Sequence, residues 1–218
     1  MIGGFGLDIY KSAAAHRLDY PLIVHAHAVV YVGWLVLFTW QIIMIRKGDY
    51  VTHRRTGFAA LILLPLMAIL GPATAIIMHR LHYDPSDAFI AFMATQFTNV
   101  IGCIVLLCTG LLWRGDGAAH KRLMLMGTLA ITEPGFSRIW ADALYRIFGN
   151  GVAQFFVEDY VGTVIAMLGV GVYDLVTRRR LHPAYVLALL WVLANEVTAS
   201  WLFYQPWWLA LCRHIAGH

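Results

Sequence analysis

A short basic motif occurs three times and places three distant parts of the chain in equivalent positions. The copies are R-K-G-D-Y-V-T-H-R-R at 46–55, R-G-D-G-A-A-H-K-R at 114–122 and the looser T-R-R-R-L-H-P at 177–183. Their histidines, His53, His120 and His182, stand 67 and 62 residues apart. Each interval is long enough for two membrane crossings and a loop, so we expect all three copies on the same side of a bilayer.

The amino-acid composition excludes a soluble domain. Of the 218 residues, 60% are hydrophobic and 13% are charged, which leaves too little polar surface to cover a globule. The net charge is +4, but the cations lie in short loops beside apolar runs. That pattern indicates membrane topology rather than a nucleic-acid partner, so the lipid bilayer is the expected surrounding.

Six apolar runs predict an all-α polytopic membrane protein, a bundle of six transmembrane helices made of three helical hairpins. The runs lie at about 22–45, 56–78, 88–113, 120–142, 155–177 and 183–205, each near the ~20 residues that cross the hydrocarbon layer. They lack the period-2 alternation of barrel strands. Residues 1–218 are predicted to form one integral membrane domain, with 1–20 as an interfacial segment and a short tail after 205.

The distribution of cations predicts the orientation of this bundle. Ten of the sixteen Lys and Arg residues fall in the loops after the first, third and fifth runs: Arg46, Lys47, Arg54, Arg55, Arg114, Lys121, Arg122, Arg178, Arg179 and Arg180. Loops rich in Lys and Arg stay in the cytoplasm. We therefore expect a multi-pass protein of the bacterial inner membrane with both termini on the non-cytoplasmic side.

The histidines of the repeated motif have three interpretations, and their spacing leaves all three open. In the first, two of them bind the iron of haem b while neighbouring cations hold the propionates; these cations are Arg54, Arg55, Lys121 and Arg122, together with 178–180. In the second, His53, His120 and His182 converge on a transition metal ion. In the third, no cofactor is bound, Gly-Asp reverses the chain, and His is a tolerated residue at the membrane interface.

Ionisable residues inside the apolar runs predict a polar pocket in the outer half of the bundle. Charges at membrane depth are costly and generally face a partner or a cavity. The candidates are His27, Glu133, Arg138, Asp159 and Glu196. Glu133 reaches the shared face only if Pro134 and Gly135 break the fourth helix. A purely structural alternative pairs Arg138 with Asp142 and uses the acids to bridge helices.

His27 and His25 are expected to face different surroundings, because residues two apart on a helix point about 200° apart. His27 shares a stripe with Tyr31, Trp34, Phe38 and Gln41, which we expect to face the bundle interior. His25 is expected at the boundary with the lipid headgroups.

Several short motifs together resemble those of a group of small six-helix bacterial integral membrane proteins. They are V-H-A-H-A-V-V-Y-V-G-W, T-H-R-R-T-G, G-P-A-T-A, A-H-K-R-L-M, L-H-P-A-Y and T-A-S-W-L, and they cover about residues 24–205. The resemblance implies a fold and no activity. Locally, H-K-R-L-M is similar to a motif of membrane proteins that assist cytochrome oxidase assembly. In the group, Gly usually precedes R-L-H-P, whereas this chain has Arg179.

Three functional hypotheses follow, and no recognised hydrolytic or nucleotide-binding motif adds an enzymatic one. The first is a b-type haem protein that passes electrons, with quinone or a redox protein as partner. The second is a non-enzymatic factor that handles haem or metal, or assists oxidase assembly. The third is a small-solute or proton-coupled transporter that uses the acids of the outer pocket and His27.

Overall fold

The computed structural model describes residues 10, 20–81, 86–148 and 151–217, apart from the side chains of residues 140–143, 145 and 148. From residue 20 onward the described chain forms ten helices and no strand. They are α1 (Leu22–Arg46), α2 (Tyr50–Gly57), α3 (Ala60–Leu81), α4 (Asp87–Ala91), α5 (Met93–Leu112), α6 (Gly117–Ala130), α7 (Glu133–Phe148), α8 (Val152–Arg178), α9 (Pro183–Phe203) and α10 (Pro206–Ala216). The predicted interfacial segment 1–20 lies almost entirely outside the described residues.

Five helical segments of the described chain are long and apolar enough to cross a membrane. They are Leu22–Arg46, Tyr50–Leu81, Asp87–Leu112, Val152–Arg178 and Pro183–Phe203. The prediction of an all-α multi-pass membrane protein is therefore confirmed, whereas the count of six crossings in three hairpins is not. The fourth predicted span, 120–142, is divided between α6 and α7. The 14 residues of α6 rise about 21 Å, less than the ~30 Å of the hydrocarbon layer.

Pro134 explains the break between α6 and α7. Proline has no N–H, so a continuous helix would lack its hydrogen bond to the carbonyl of Ala130. Here the chain turns at Ile131 and Thr132, and Pro134 becomes the second residue of α7, where no intrahelical N–H is required. The carbonyl of Ala130 instead accepts a hydrogen bond from Asn99 Nδ2 at 3.1 Å. The break that Glu133 needed to reach the polar face is thus present.

Helix α5 lies at the centre of the bundle. It packs against α3, α6 and α9, and α9 in turn packs against α6 and α8. Small residues permit these close approaches. A Cβ atom at Gly127 would lie 2.8 Å from the side chain of Leu107, and one at Gly171 would overlap the ring of Tyr185. The helices around α5 are therefore held at short separations.

The segment after residue 205, predicted as a short tail, contains α10, which packs against α3 and α4. Trp208 Nε1 donates to the carbonyl of Ala91 at 3.2 Å. Arg80 Nη2 donates to the carbonyl of Ile215 at 2.8 Å. These bonds hold α10 at the end of the bundle where α3 ends, near Arg80.

Candidate functional site

The three copies of the basic motif form the turns that begin α2, α6 and α9, and each supplies a helix N-cap. Asp49 Oδ1 accepts the backbone N–H of Thr52 at 2.9 Å. Asp116 Oδ1 accepts two backbone N–H groups of α6 at 2.9 and 3.1 Å. His182 Nδ1 accepts the N–H of Ala184 at 3.2 Å. Such caps satisfy donors that the first turn of a helix leaves free, which favours the interpretation of the motif as a turn.

The two capping carboxylates lie outside the membrane-spanning segments and are stabilised in their charged form. The hydrogen bonds from the side chain and then the backbone of Thr52 lower the pKa of Asp49. Those from the backbone N–H groups of Ala119 and then Ala118 lower the pKa of Asp116. A hydrogen bond made to the charged form favours that form, and a negative charge also suits the positive end of a helix.

His53 and His120 are brought together by the first two turns. Their ring centroids lie 6.4 Å apart, with the ring planes at 85°. His120 Nδ1 lies 2.7 Å from the carbonyl oxygen of Gly110. Because a carbonyl only accepts, Nδ1 carries a proton, and in the neutral ring Nε2 presents a lone pair. This arrangement is typical of metal-binding histidines, whose second nitrogen donates to a carbonyl.

His53 is less well prepared to bind a metal than His120. The amide of Gln41, in the orientation that also satisfies the N–H of Gly57, donates to His53 Nδ1 at 2.5 Å. The proton of a neutral His53 ring then sits on Nε2, the nitrogen that a metal would need. In this pair, Nε2 of His120 is thus an acceptor and Nε2 of His53 is a donor. Only His120 is therefore prepared to bind a metal ion.

The remaining residues predicted to bind a cofactor do not converge on this pair. His182 interacts electrostatically with Asp116, and among the described residues no three His, Cys, Asp or Glu side chains form a group that could hold a metal ion. Arg54, Arg55 and Lys121 are exposed. The structure therefore leaves haem and metal binding as predictions.

Arg122, predicted to hold a propionate, is instead buried in an ion pair. Its Nε and Nη2 donate to the two carboxylate oxygens of Asp174 at 2.6 and 2.5 Å, and Nη1 donates to the carbonyl of Ala118 at 2.7 Å. Sequence reasoning missed Asp174. The signal available in the sequence was an acid inside the fifth apolar run, which needs a partner such as a cation of the second basic motif.

Three acids of the predicted outer pocket come together among α7, α8 and α9, and we call Glu133, Asp159 and Glu196 the carboxyl cluster. These three residues are only 2%, 7% and 6% exposed, respectively. Glu133 interacts electrostatically with both other acids. Tyr160 also interacts with all three. The cluster lies 13 and 14 residues beyond His120 and His182, or about 20 Å along the helices.

Polar side chains of α5 surround the carboxyl cluster. Asn99 Nδ2 donates to Glu133 Oε2 at 2.8 Å. Thr95 Oγ1 and the hydroxyl of Tyr160 share a hydrogen bond at 2.9 Å. Arg138 acts on Glu133 as an opposite charge, and its Nη1 donates to the carbonyl of Pro134 at 2.6 Å. The alternative partner of Arg138, the side chain of residue 142, lies outside the described residues.

A small cavity adjoins the cluster. Its volume is about 20 Å³, and Glu196, Asn99, Asn195 and Tyr160 are among the residues that line it. A space of this size holds about one water molecule. Glu196 Oε2 is buried and has no hydrogen-bond partner among the residues that the structure describes. A deeply buried carboxyl group therefore belongs to the lining of a space about the size of one water molecule.

His27, the fifth predicted pocket residue, lies elsewhere. Its ring stacks on that of Tyr31, with centroids 4.2 Å apart, and the Tyr31 hydroxyl donates to the carbonyl of Met67 at 3.2 Å. Trp34, on the same stripe, is buried, and His25 is exposed; its place at the headgroup boundary stays a prediction. These contacts place His27 between α1 and α3, apart from the carboxyl cluster.

Comparisons with protein-family models, with curated proteins and with solved structures find no match. The resemblance to small six-helix membrane proteins therefore stays a prediction, and the functional argument rests on the geometry of this chain.

Proposed function

We propose that the protein is a proton-coupled transporter of a small solute, with the carboxyl cluster as the site that takes up and releases the coupling proton. The observation that carries the proposal is the burial of Glu133, Asp159 and Glu196, with Glu133 in electrostatic interaction with both other acids. Arrays of acids at membrane depth mark ion pathways and proton relays in pumps and transporters.

Among the described residues, the carboxyl cluster has more acidic groups than cations that act on them. Arg138 supplies one positive charge to Glu133, against three carboxyl groups. Buried like charges oppose each other strongly, so groups that share such a site do not all ionise together. The cluster therefore holds at least one proton, and a change in its surroundings changes how many it holds.

The break between α6 and α7 supports a moving part at this site. Many transporters bind substrate and ions where a transmembrane helix is interrupted near the middle of the bilayer. Glu133 is the first residue of α7, so any change of angle at Ile131 and Thr132 moves its carboxyl group relative to Glu196. Proton release and helix movement are then coupled through one residue.

The test uses proteoliposomes loaded with a pH-sensitive dye and a panel of amino acids, sugars and organic acids as probes. We expect at least one solute to cause proton movement across the membrane, and Glu133→Gln and Glu196→Gln to abolish it. Asp87→Asn, which removes an exposed acid, is the matched control and should keep it. Solute-driven proton movement that survives both deep substitutions would refute the proposal.

A second candidate is a b-type haem or metal centre at His53 and His120, in an electron-transfer or cofactor-handling protein. The separation of 6.4 Å between their rings and the hydrogen bond from His120 Nδ1 to the carbonyl of Gly110 favour it. In the electron-transfer version, quinone or a redox protein would exchange electrons at this end of the bundle. Haem would supply the redox chemistry, and exposed Arg54, Arg55 and Lys121 would face its propionates.

The absorption spectrum of protein purified from haem-supplemented cells tests this second candidate. The haem version expects a Soret band that His120→Ala removes or converts and that His25→Ala leaves unchanged. A colourless preparation excludes a stably bound haem. If that preparation instead holds stoichiometric zinc or copper that His120→Ala removes, the metal-handling version replaces it.

A further inference from the structure

Helix α10 lies across the end of the bundle that is opposite the basic turns. The spans Tyr50–Leu81 and Pro183–Phe203 both start at basic turns, so α3 and α9 end together at the opposite end. Helix α10 begins three residues after α9 ends. In its last turn, the carbonyl of Ile215 accepts a hydrogen bond from Arg80, in the last turn of α3. Both ends of α10 are therefore held at a similar depth.

This helix is too short to be a further crossing. Its 11 residues rise about 16 Å, whereas the hydrocarbon layer is ~30 Å thick. An axis that runs across the bundle end, close to the point where α9 leaves the membrane, is instead the orientation of a helix that lies in the plane of the membrane surface.

The side chains of α10 form three faces, because residues three or four apart share one side of a helix. The first face is buried and packs on residues of α4 and α5 in one apolar cluster; its members are Trp208, Cys212 and Ala216, and their partners are Ile90, Met93 and Ala94. On the second face, Trp207 and Leu211 are exposed. On the third, Ala210 and Arg213 are exposed. A tryptophan and a leucine on one side with a cation on another form the pattern of an interfacial helix.

The Trp207 face continues the surface that α9 turns away from the bundle. Exposed apolar residues follow one line along α9 at intervals of three and four residues: Leu187, Leu190, Ala194, Val197 and Trp201. Because α9 is long and apolar enough to cross a membrane, we expect this line to face lipid. The ring of Trp207 lies 6.3 Å from that of Trp201, the last member of the line. Trp207 and Leu211 therefore extend the lipid-facing surface past the end of α9.

The types of the exposed residues also suit the boundary of a bilayer. Tryptophan combines a large apolar ring with one N–H donor, and it is enriched where headgroups meet acyl chains. Arg213 forms an exposed ion pair with Asp87, so charges gather on the face that is turned away from Trp207. A soluble partner would approach from the water side, whereas the contact with Trp201 places the Trp207 face on the lipid side of α9.

We propose that α10 is an interfacial helix that binds the phospholipid leaflet opposite the basic turns. Trp207 and Leu211 enter the boundary between headgroups and acyl chains, Arg213 stays in the headgroup layer, and Trp208 holds the helix to α4 through its bond to Ala91. This role is separate from the proposed transport function, because it concerns the outer surface of the bundle and is measured without any solute.

The first test measures quenching of tryptophan fluorescence in the full-length protein, reconstituted in vesicles of phosphatidylcholine whose acyl chains carry bromine near the headgroup. Bromine quenches tryptophan rings that touch the lipid. Trp207→Phe should lower the quenched share of the emission, because it removes a ring that faces lipid. Trp34→Phe is the matched control; it removes a ring that is buried in the core and should raise that share. A quenched share that does not fall in Trp207→Phe overturns the proposal.

The second test distinguishes lipid from water at the two exposed faces of α10. Nitroxide labels are attached to Leu211→Cys and to Ala210→Cys, in full-length protein whose native cysteines are replaced by alanine, in vesicles of unbrominated phosphatidylcholine. Oxygen, which concentrates in lipid, should relax the label at 211 more strongly than the label at 210. A water-soluble nickel complex should show the reverse order. Equal relaxation of both labels by the nickel complex would contradict the proposal, since the Trp207 face would then meet water and be open to a soluble partner.

Discussion

Arg122 and Asp174 form a two-pronged ion pair at the end of the bundle where the three basic turns meet. Both side chains are 3% exposed. The pair joins α6, which the second basic turn begins, to α8, which ends at the third. The fixed fork of arginine matches the two oxygens of a carboxylate, so the contact sets the relative position of these helices as well as neutralising two buried charges.

Removal of either partner of this pair should destabilise the protein strongly. Asp174→Ala leaves the guanidinium of Arg122 buried without its counter-charge, and a broken buried pair typically costs about 3–5 kcal/mol. Denaturant unfolding in detergent measures the loss. The double variant Arg122→Met with Asp174→Leu should recover most of it, because it leaves no buried charge.

The ion pair between Arg213 and Asp87 is the control for that experiment. Its side chains are 47% and 63% exposed, and exposed pairs contribute about 0–1 kcal/mol. Arg213→Ala should therefore change the free energy of unfolding far less than Asp174→Ala. A loss of similar size in the two variants would show that burial of Arg122 and Asp174 does not determine their contribution.

Arg179→Gly should stabilise the protein. Arg179 ends α8 with φ 58°, a left-handed conformation that glycine adopts without steric cost. The gain should be about 1 kcal/mol. Arg179→Ala removes the same charge but keeps the steric cost, so the difference between the Gly and Ala variants isolates the backbone effect. Equal unfolding free energies for the two would contradict it.

The N-cap formed by Asp116 should make stability depend on acid. Its pKa is lowered below the ordinary value of 3.8 by hydrogen bonds from backbone N–H groups of α6, so the charged cap stabilises the folded state above pH 3.8 and loses this effect as the pH falls below that value. Asp116→Asn keeps an acceptor at the cap but does not titrate. We expect wild type to be the more stable at neutral pH and the difference to close in acid.

Labelling of single cysteines tests the orientation. Tyr50, Gly115 and Leu181 are exposed at the three basic turns, and their substitution by cysteine alters none of the cations. In a background without native cysteines, all three should resist an impermeant thiol reagent in intact cells, since loops rich in Lys and Arg stay inside. Val152→Cys, exposed at the start of α8, should react. The reverse pattern would invert the proposed topology.

The sequence predicted best those features that depend on neighbouring residues. The Gly-Asp turns lie where the repeated motif placed them, because Asp49 and Asp116 need only the first turn of the following helix as partner. The break before Glu133 was foreseeable as well, since the missing N–H of Pro134 is a local property. Burial of Glu133, Asp159 and Glu196 followed from the rarity of acids in apolar helices.

Features that depend on helix packing could not be predicted in the same way. Arg122 belongs to a basic run and was grouped with the cations expected to hold haem propionates, yet the approach of α8 encloses it against Asp174. His27 was grouped with the outer acids by depth alone. The depth of a residue in the membrane does not determine which neighbouring helix it faces. Helix α1 packs on α3 rather than on the helices that carry the acids.

The interruption between α6 and α7 divides this part of the bundle into two segments that are held by different neighbours. At one end, α6 is fastened by the bond of His120 to Gly110 and by the pair with Asp174. Beyond Thr132, α7 packs mainly on α8. A rotation of α7 at the interruption would open or close the space between Glu133 and Glu196, while the basic turns would stay in place.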